Sequence, residues 1–347
     1  MLKDEILNAL REAGGEYVSG QQLCSRSGVS RTAVWKAIGR LREEGYAIEA
    51  VTNRGYRLGE TDEEKPDLFN AQEIGRFLHT RWAGHPLVFL KQTGSTNDDI
   101  LRMSDEGAAQ GTLAVAAAQT AGKGRRGRAW ISVPDCNIYM SILLRPSMRA
   151  DKAPMSTLVM ALSACQAVTD LFPEISVPRT EGGDLRAGIK WPNDLVIGRA
   201  GEYRKFTGIL TEMRLEETQI RDVVVGIGIN VNETEFSDEI RQSATSLKLA
   251  LGKRANRAQL TARIWERFEE NYEVFEAAGS LLPLKDAYET LLVNVGRRVR
   301  VLDPQSPFEG TAEGITGTGE LIVRTDEGEI RCVGAGEVSV RGVNGYV

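Results

Sequence analysis

The segment Gly59-Glu60-Thr61-Asp62-Glu63-Glu64-Lys65-Pro66 carries four acids, no large apolar side chain and a terminal proline. A stretch with so little to bury reads as a linker. A chain of 347 residues therefore organises separate cores on its two sides. Charge divides at the same place. Residues 1–58 hold nine Lys/Arg against seven Asp/Glu, which leaves 34 against 41 for the rest of a chain whose net charge is −5. A small positive excess in a short head is a first pointer to nucleic acid.

The head has the pattern helix, helix, helix, hairpin. Ile6, Leu7 and Leu10 share one helical face, Ser19 caps a short helix carrying Leu23, and Gly28 allows a tight turn. Ser30 caps a third helix whose Val34, Ile38 and Leu41 form the buried stripe. Its other face presents Arg31, Thr32, Trp35, Lys36 and Arg40, and the hairpin turn at Asn53-Arg54-Gly55 adds Arg54, with Arg57 beside it. A basic helix face is often only a solvated face. Here four cations and no acid occupy residues 31–42 of a three-helix unit that ends in a basic hairpin. That is the pattern of a winged helix-turn-helix, with its third helix suited to the major groove and its hairpin to phosphates. Arg31, Thr32, Trp35, Lys36, Arg40 and Arg54 are the expected DNA-binding set.

Beyond the linker, strands and helices alternate. Strands are expected at 87–90, 112–118, 138–144, 195–197, 207–213 and 222–230, and helices at 97–106, 153–172 and 258–278. Segments 178–188 and 198–206 read as long loops. In the tail, 299–302, 321–323 and 338–340 are short strands punctuated by glycine, the pattern of a small β-barrel. The expected domains are 1–60, 67–290 and 291–347.

Several classes are disfavoured. The only histidines are His79 and His85, with no HExxH, so histidine triads and multi-histidine metal sites lack material. Cys24, Cys136, Cys165 and Cys332 are widely spaced, which argues against a disulfide framework or a zinc knuckle. No apolar run is long enough to span a bilayer and the start has no signal-peptide core, so a soluble cytoplasmic protein away from membranes is expected. GxxxxGK[ST] and GxSxG are absent.

The segment Gln119-Thr120-Ala121-Gly122-Lys123-Gly124-Arg125-Arg126-Gly127-Arg128-Ala129-Trp130 contains GxGxxG. It fails as a dinucleotide fingerprint, because Trp130 to Pro134 is a poor helix start and no acid lies between Asp135 and Asp151. Four cations among interleaved glycines fit a loop that closes over an anion and brings guanidinium groups to a phosphate. In Lys190-Trp191-Pro192-Asn193-Asp194, Pro192 stiffens the turn, and a fixed lysine can neutralise charge developing on a phosphoryl or carboxylate oxygen. Asn193 and Asp194 could orient that lysine or hold Mg²⁺. Gly226-Ile227-Gly228-Ile229-Asn230 ends an apolar strand, where small residues permit close approach of a ligand and Asn230 offers an amide. In Gly94-Ser95-Thr96-Asn97 the short polar side chains cap the next helix, or present its N–H groups to a small ligand.

In this order, Ser95-Thr96-Asn97, the glycine-arginine loop with Trp130, Lys190 to Asp194 and Gly226 to Asn230 resemble the biotin protein ligases. The head makes the chain similar to their bifunctional ligase and biotin-operon repressor branch. The resemblance covers essentially the whole chain and implies an α+β multidomain protein: winged helix-turn-helix, central mixed-sheet α/β ligase domain and C-terminal SH3-like barrel. It also implies that biotin's carboxylate attacks the α-phosphate of ATP to give biotinyl-5′-AMP and pyrophosphate. A lysine of a biotin carboxyl carrier protein then attacks the acyl-adenylate. Mg²⁺ accompanies the substrate phosphates, without a dedicated protein metal site.

Carried over by position, Ser95, Thr96, Asn97, Gln119, Lys123, Gly124, Arg125 and Lys190 match the biotin side. Lys190 and Arg125 match catalytic positions, and Arg128, Trp130, Asn230 and Arg341 the nucleotide side. Residues 232–237 correspond to a segment that orders over adenine. The family's loop usually has arginine where this chain has Lys123, so charge survives and the bidentate fork is lost. The resemblance further implies a homodimer of the adenylate-bound form on operator DNA. Two other readings stay open on the residues alone: a ligand-sensing regulator without ligase activity, and a lipoyl or octanoyl ligase.

Overall fold

The computed structural model describes residues 2–59, 67–178, 184–199, 202–303, 306–335 and 339–342. The chain divides into two compact units, residues 1–68 and 69–347.

In the first unit, α1 (Leu2–Glu12) buries Ile6, Leu7 and Leu10. A capping box starts α2 (Gly20–Ser27): Ser19 Oγ accepts from Gln22 N–H, Gln22 Oε1 accepts from Ser19 N–H, and Gly28 ends the helix at φ 66°. Ser30 Oγ accepts from Ala33 N–H to open α3 (Arg31–Glu43), which buries Val34, Ala37, Ile38 and Leu41. Strands β1 (Ile48–Val51) and β2 (Gly55–Leu58) pair antiparallel. Two backbone hydrogen bonds between Val18 and Tyr56, of 2.8 and 2.9 Å, tie the hairpin to the α1–α2 connection. Gly55 stands at φ 108°, where a Cβ would lie 2.2 Å from the Val18 carbonyl oxygen. The hairpin can sit there only because that position is glycine.

The second unit is built on a seven-stranded sheet. In chain order its elements are α4 (Ala71–Phe77), β3 (Leu87–Leu90), α5 (Thr96–Asp105), β4 (Leu113–Ala116), β5 (Ile138–Leu144), α6 (Ser156–Leu171), β6 (Leu185–Lys190), β7 (Asp194–Arg199), β8 (Glu202–Glu216) and β9 (Gln219–Ile229). Then come α7 (Leu247–Leu251), α8 (Arg257–Ala278) and α9 (Lys285–Leu291). The strand order is β3-β4-β5-β9-β8-β7-β6, with β3–β4 parallel and the other pairs antiparallel. β5 is buried along its whole length because both faces are covered. Met140 and Ile142 join the core containing α6 and α8, while Leu143 packs with Ile100 of α5 and Val224 on the opposite face. That two-sided burial explains the unbroken apolar run Ile138–Leu144.

The tail forms a second, antiparallel sheet from β10 (Arg298–Leu302), β11 (Phe308–Ile315), β12 (Leu321–Thr325), β13 (Ile330–Val333) and β14 (Ser339–Gly342), in the order β13-β12-β11-β10-β14. It shares its core with the larger domain. Trp191 Nε1 donates to the Gly319 carbonyl (3.0 Å) and Glu289 Oε1 accepts from Ile315 N–H (2.8 Å).

Two loop expectations are corrected. Within 178–188, Leu185–Gly188 belong to β6 and pair with β7. Alternation is hard to see there because Gly188 sits where a Cβ would come within 2.6 Å of Leu291 O, Pro178 and Val293. Within 198–206, Gly198–Arg199 end β7 and Glu202–Phe206 open β8, and the two strands pair antiparallel up to Arg199 opposite Glu202. Gly182-Gly183 and Val338 lie outside the described residues. The helix expected at 153–172 begins as a 3-10 turn at Ala150–Met155, because Pro154 has no N–H for an α-helical ladder.

Candidate functional site

The site begins where α5 starts. Ser95 occupies the N-cap position without a side-chain capping bond. The Thr96 N–H is instead satisfied from across the site, by Gln119 Oε1 at 2.8 Å. Thr96 Oγ1 lies 2.7 Å from Ser141 Oγ, Ser141 donates to Asn97 Oδ1 (2.6 Å), and Asn97 Nδ2 donates to Glu212 Oε2 (2.5 Å). This buried chain fixes each short side chain in one orientation. Opposite it, Gly226 leaves no alternative residue: a Cβ there would stand 2.0 Å from Asn97 Oδ1.

The glycine-arginine loop folds back over this floor. Trp130 N–H donates to Gly122 O and Gly124 N–H to Arg128 O, which closes a small hairpin. The Trp130 ring packs against two glycines, since a Cβ at Gly208 or Gly228 would come within 2.6 Å of it. Arg125 points inward, donating to Asn193 Oδ1 (2.9 Å) and to the carbonyl of Ala335, two residues past β13 (2.5 Å). Burial holds its pKa below the usual arginine range, and Asp194 opposes that shift. Lys123 forms an ion pair with Asp98, which raises its pKa. Arg126 is held at φ 59°, a left-handed conformation seldom taken outside glycine. Arg128 is exposed.

Lys190 closes β6 and is only 5% exposed. Burial drives its pKa down to about 8; Lys205 and Arg341 push the same way and Asp194 opposes. Asp194 Oδ1 is 2.6 Å from Lys205 Nζ. The turn between Lys190 and Asp194 is anchored to the tail domain, with Trp191 N–H donating to Asn294 Oδ1 (2.8 Å) and its indole bound to Gly319. Arg341, on β14 opposite Arg300, is exposed.

Ser95, Thr96, Asn97, Gln119, Lys123, Gly124, Arg125 and Trp130 line one cavity of about 50 Å³. A second, of about 170 Å³, is lined by Trp130, Ile131, Lys205, Asn230, Glu233 and Phe236. Trp130 and Lys205 are common to both. Asn230 Nδ2 is committed to the Thr245 carbonyl (3.1 Å), so its amide holds the segment after β9 in place. The same segment is pinned by Asn137, whose Nδ2 donates to Glu233 Oε2 (2.6 Å) and whose Oδ1 accepts from Val231 N–H (2.9 Å). Burial raises the pKa of Glu233. Lys205 and Asn137 were not singled out from the sequence. Neither lies in a motif with a recognisable spacing, and the role of each depends on partners brought close by the fold. Among the described residues, no cluster of three or more His, Cys, Asp or Glu is arranged to hold a metal ion, and no helix is long and apolar enough to cross a membrane.

In the first unit Arg31, Thr32, Trp35, Lys36 and Arg40 are all exposed on α3, Trp35 at 65%. Arg54 is exposed at the hairpin turn, stacked 4.4 Å from the Tyr17 ring centre. Arg57 stacks on the same ring at 4.8 Å and is paired with Glu49.

A mixed-sheet domain with an arginine loop and buried lysine, a small β tail and a helix-turn-helix head together define a ligase joined to a DNA-binding unit. Three family patterns match: "HTH domain" at residues 3–57, "Biotin/lipoate A/B protein ligase family" at 89–230 and "Biotin protein ligase C terminal domain" at 295–341. The bifunctional ligase/repressor BirA of Bacillus subtilis is 37% identical over 329 residues, 94% of this chain and 95% of the relative. That of Escherichia coli is 29% identical, covering 95% and 94%. Among solved structures, the biotin protein ligase of Aquifex aeolicus in complex with biotin and ATP is 30% identical, with a TM-score of 0.60 over 74% of this chain and 98% of that one. The chain belongs to the biotin protein ligase family, in its bifunctional ligase/repressor branch.

Proposed function

We propose that this chain activates biotin with ATP as biotinyl-5′-AMP, transfers biotin to a carrier-protein lysine, and represses transcription in response to biotin. The observation that carries the ligase reading is the pair of cavities meeting at Trp130 and Lys205, with inward-pointing Arg125 in the first lining and buried Lys190, outside both linings, within electrostatic reach of Lys205. Ser95, Thr96, Asn97, Gln119, Lys123 and Gly124 take the biotin side. Arg128, Trp130, Asn230 and Arg341 take the nucleotide side, where residues 232–237 cover the base. Functionally the chain divides into residues 1–60, 67–290 and 291–347.

In the first step a biotin carboxylate oxygen bonds to the α-phosphorus while the bond to pyrophosphate breaks. No proton moves, and the obstacle is repulsion between anions, so Lys190 and Arg125 act by neutralising charge in a site already shaped to receive it. Incoming anions raise the pKa of Lys190 and keep it protonated through the reaction. Mg²⁺ bound to the triphosphate would supply further neutralisation of its oxygens, while Lys190 and Arg125 are the chain's own cations beside it. In the second step the carrier's neutral lysine amine bonds to the acyl carbon, AMP departs and the amine proton is lost.

The head reads operator DNA through Arg31, Thr32, Trp35, Lys36, Arg40 and Arg54. Loops ordered by the adenylate lower the cost of forming a homodimer, whose two-fold axis matches a two-part operator. All three activities take place in the cytoplasm, where ATP, carrier and DNA occur together. The decisive experiment is biotin-dependent ATP–pyrophosphate exchange with Mg²⁺, with Lys190→Ala as the control and octanoate as a competing acid. Exchange with biotin that is lost in the variant supports the reading, and absence of exchange refutes it. Gel shifts with and without biotin and ATP test the repressor: binding that ignores ligand excludes the coupling.

A further inference from the structure

If the two cavities hold the acid and the nucleotide, as proposed above, the reacting oxygen and phosphorus meet at the wall between them. Lys205 stands in that wall. Its Nζ lies 5.3 Å from the Trp130 ring centre and 2.6 Å from Asp194 Oδ1, and its side chain is 26% exposed. Its backbone is held from both sides: Lys205 N–H donates to Ser243 O (2.7 Å), and Lys205 O accepts from Thr245 N–H (2.8 Å). Ser243 itself lines the second cavity.

The strand pairing slips at this point. Leu195 faces Thr207, whereas Val196 faces Lys205, so Phe206 is an extra residue between them. A bulge of this kind re-aims the side chains around it. Here it accompanies an ammonium group that borders both cavities, above the tryptophan that separates them.

We infer that Lys205 is a second cation for the reacting phosphate, held by Asp194 until the nucleotide arrives. Asp194 pairs with Lys205 and is also within electrostatic reach of Lys190 and Arg125. Three cations around one small site repel one another, and a single carboxylate among them lets the unliganded site keep its shape. A lysine has three rotatable donors on a flexible stem. It can keep its ion pair with Asp194 and turn its donors to phosphate oxygens, with Trp130 holding the ammonium over its ring.

The alternative role for Lys205 is purely structural, as a prop for Trp130 and the 243–245 segment. Lys205→Met separates the two, because it retains the aliphatic stem and both backbone bonds. The full chain is assayed for biotin affinity by calorimetry without ATP, and for biotin-dependent ATP–pyrophosphate exchange, alongside Lys205→Arg and thermal melting. The expected result is an unchanged biotin Kd and melting temperature, with kcat/KM for ATP lowered about 100-fold, the scale for losing one transition-state donor. Lys205→Arg should recover most of that loss. Two results overturn the inference: Lys205→Met with wild-type kcat/KM for ATP, or a fall in biotin affinity equal to the fall in exchange. Wild-type protein without any exchange would instead remove the ligase reading on which the inference rests.

Discussion

Replacing Lys190 with methionine should make the unliganded protein more stable while abolishing adenylation. Lys190 titrates near 8 in the folded protein against an ordinary 10.5, chiefly because it is buried. A depressed lysine pKa means that folding favours the neutral form, so at pH 7 the folded state bears the cost of a buried charge. At 1.36 kcal/mol per pKa unit, the difference corresponds to ~3 kcal/mol. That cost is present in full below the folded value of about 8, falls as pH rises from there, and vanishes above about 10.5, where both states are neutral. Methionine keeps the stem without the charge. Urea unfolding of the catalytic unit should therefore favour Lys190→Met by up to ~3 kcal/mol at pH 7, with the advantage shrinking towards pH 10.5. In melting temperature this is several degrees, at roughly 2–4 °C per kcal/mol for a domain of this class. Biotin with ATP should stabilise the wild type and leave the variant unmoved. A variant less stable than wild type at pH 7, or a difference that stays constant between pH 7 and 10.5, would refute the electrostatic account of Lys190.

Gly226→Ala drives a methyl group to 2.0 Å from Asn97 Oδ1, in a network closed by Ser141 and Glu212. Overpacking of this kind costs about 1–3 kcal/mol, and calorimetry should show weakened biotin binding. Asn137→Ala strips a partner from Val231 N–H and from Glu233, each such loss amounting to about 1–3 kcal/mol. Because both partners lie after β9, the KM for ATP should rise while biotin affinity measured without ATP stays put. In the head, Arg40→Ala should leave ligation intact, weaken operator binding uniformly across sequences and lower the salt slope of that binding by about one; an unchanged slope would remove Arg40 from the phosphate contacts.

The order of motifs along the chain was legible because each is local. The buried run Ile138–Leu144, the caps Ser19 and Ser30, and the basic face of α3 all express rules that operate over a few residues. Gly226 and Gly228 were legible as room for a ligand's close approach, not as room for the protein's own side chains. That Gly226 makes room for Asn97, and Gly208 and Gly228 for Trp130, depends on side chains about 80 to 130 positions away. β6 was hidden for the same reason: Gly188 interrupts its pattern because the neighbouring backbone comes close, a fact recorded at Leu291 and Val293.

By itself, then, the sequence determined which side chains are available, where the linker separates two cores, and that catalysis must run on cations and amides, with only two histidines present. Tertiary structure decided which cations meet. Lys190, Lys205 and Arg125 come from a strand end, a bulged strand and a loop, and Asp194 is the acid among them. Caps, turns and periodicity are short-range and written residue by residue, whereas burial and Coulomb interactions act through space and exist only once the sheet has formed.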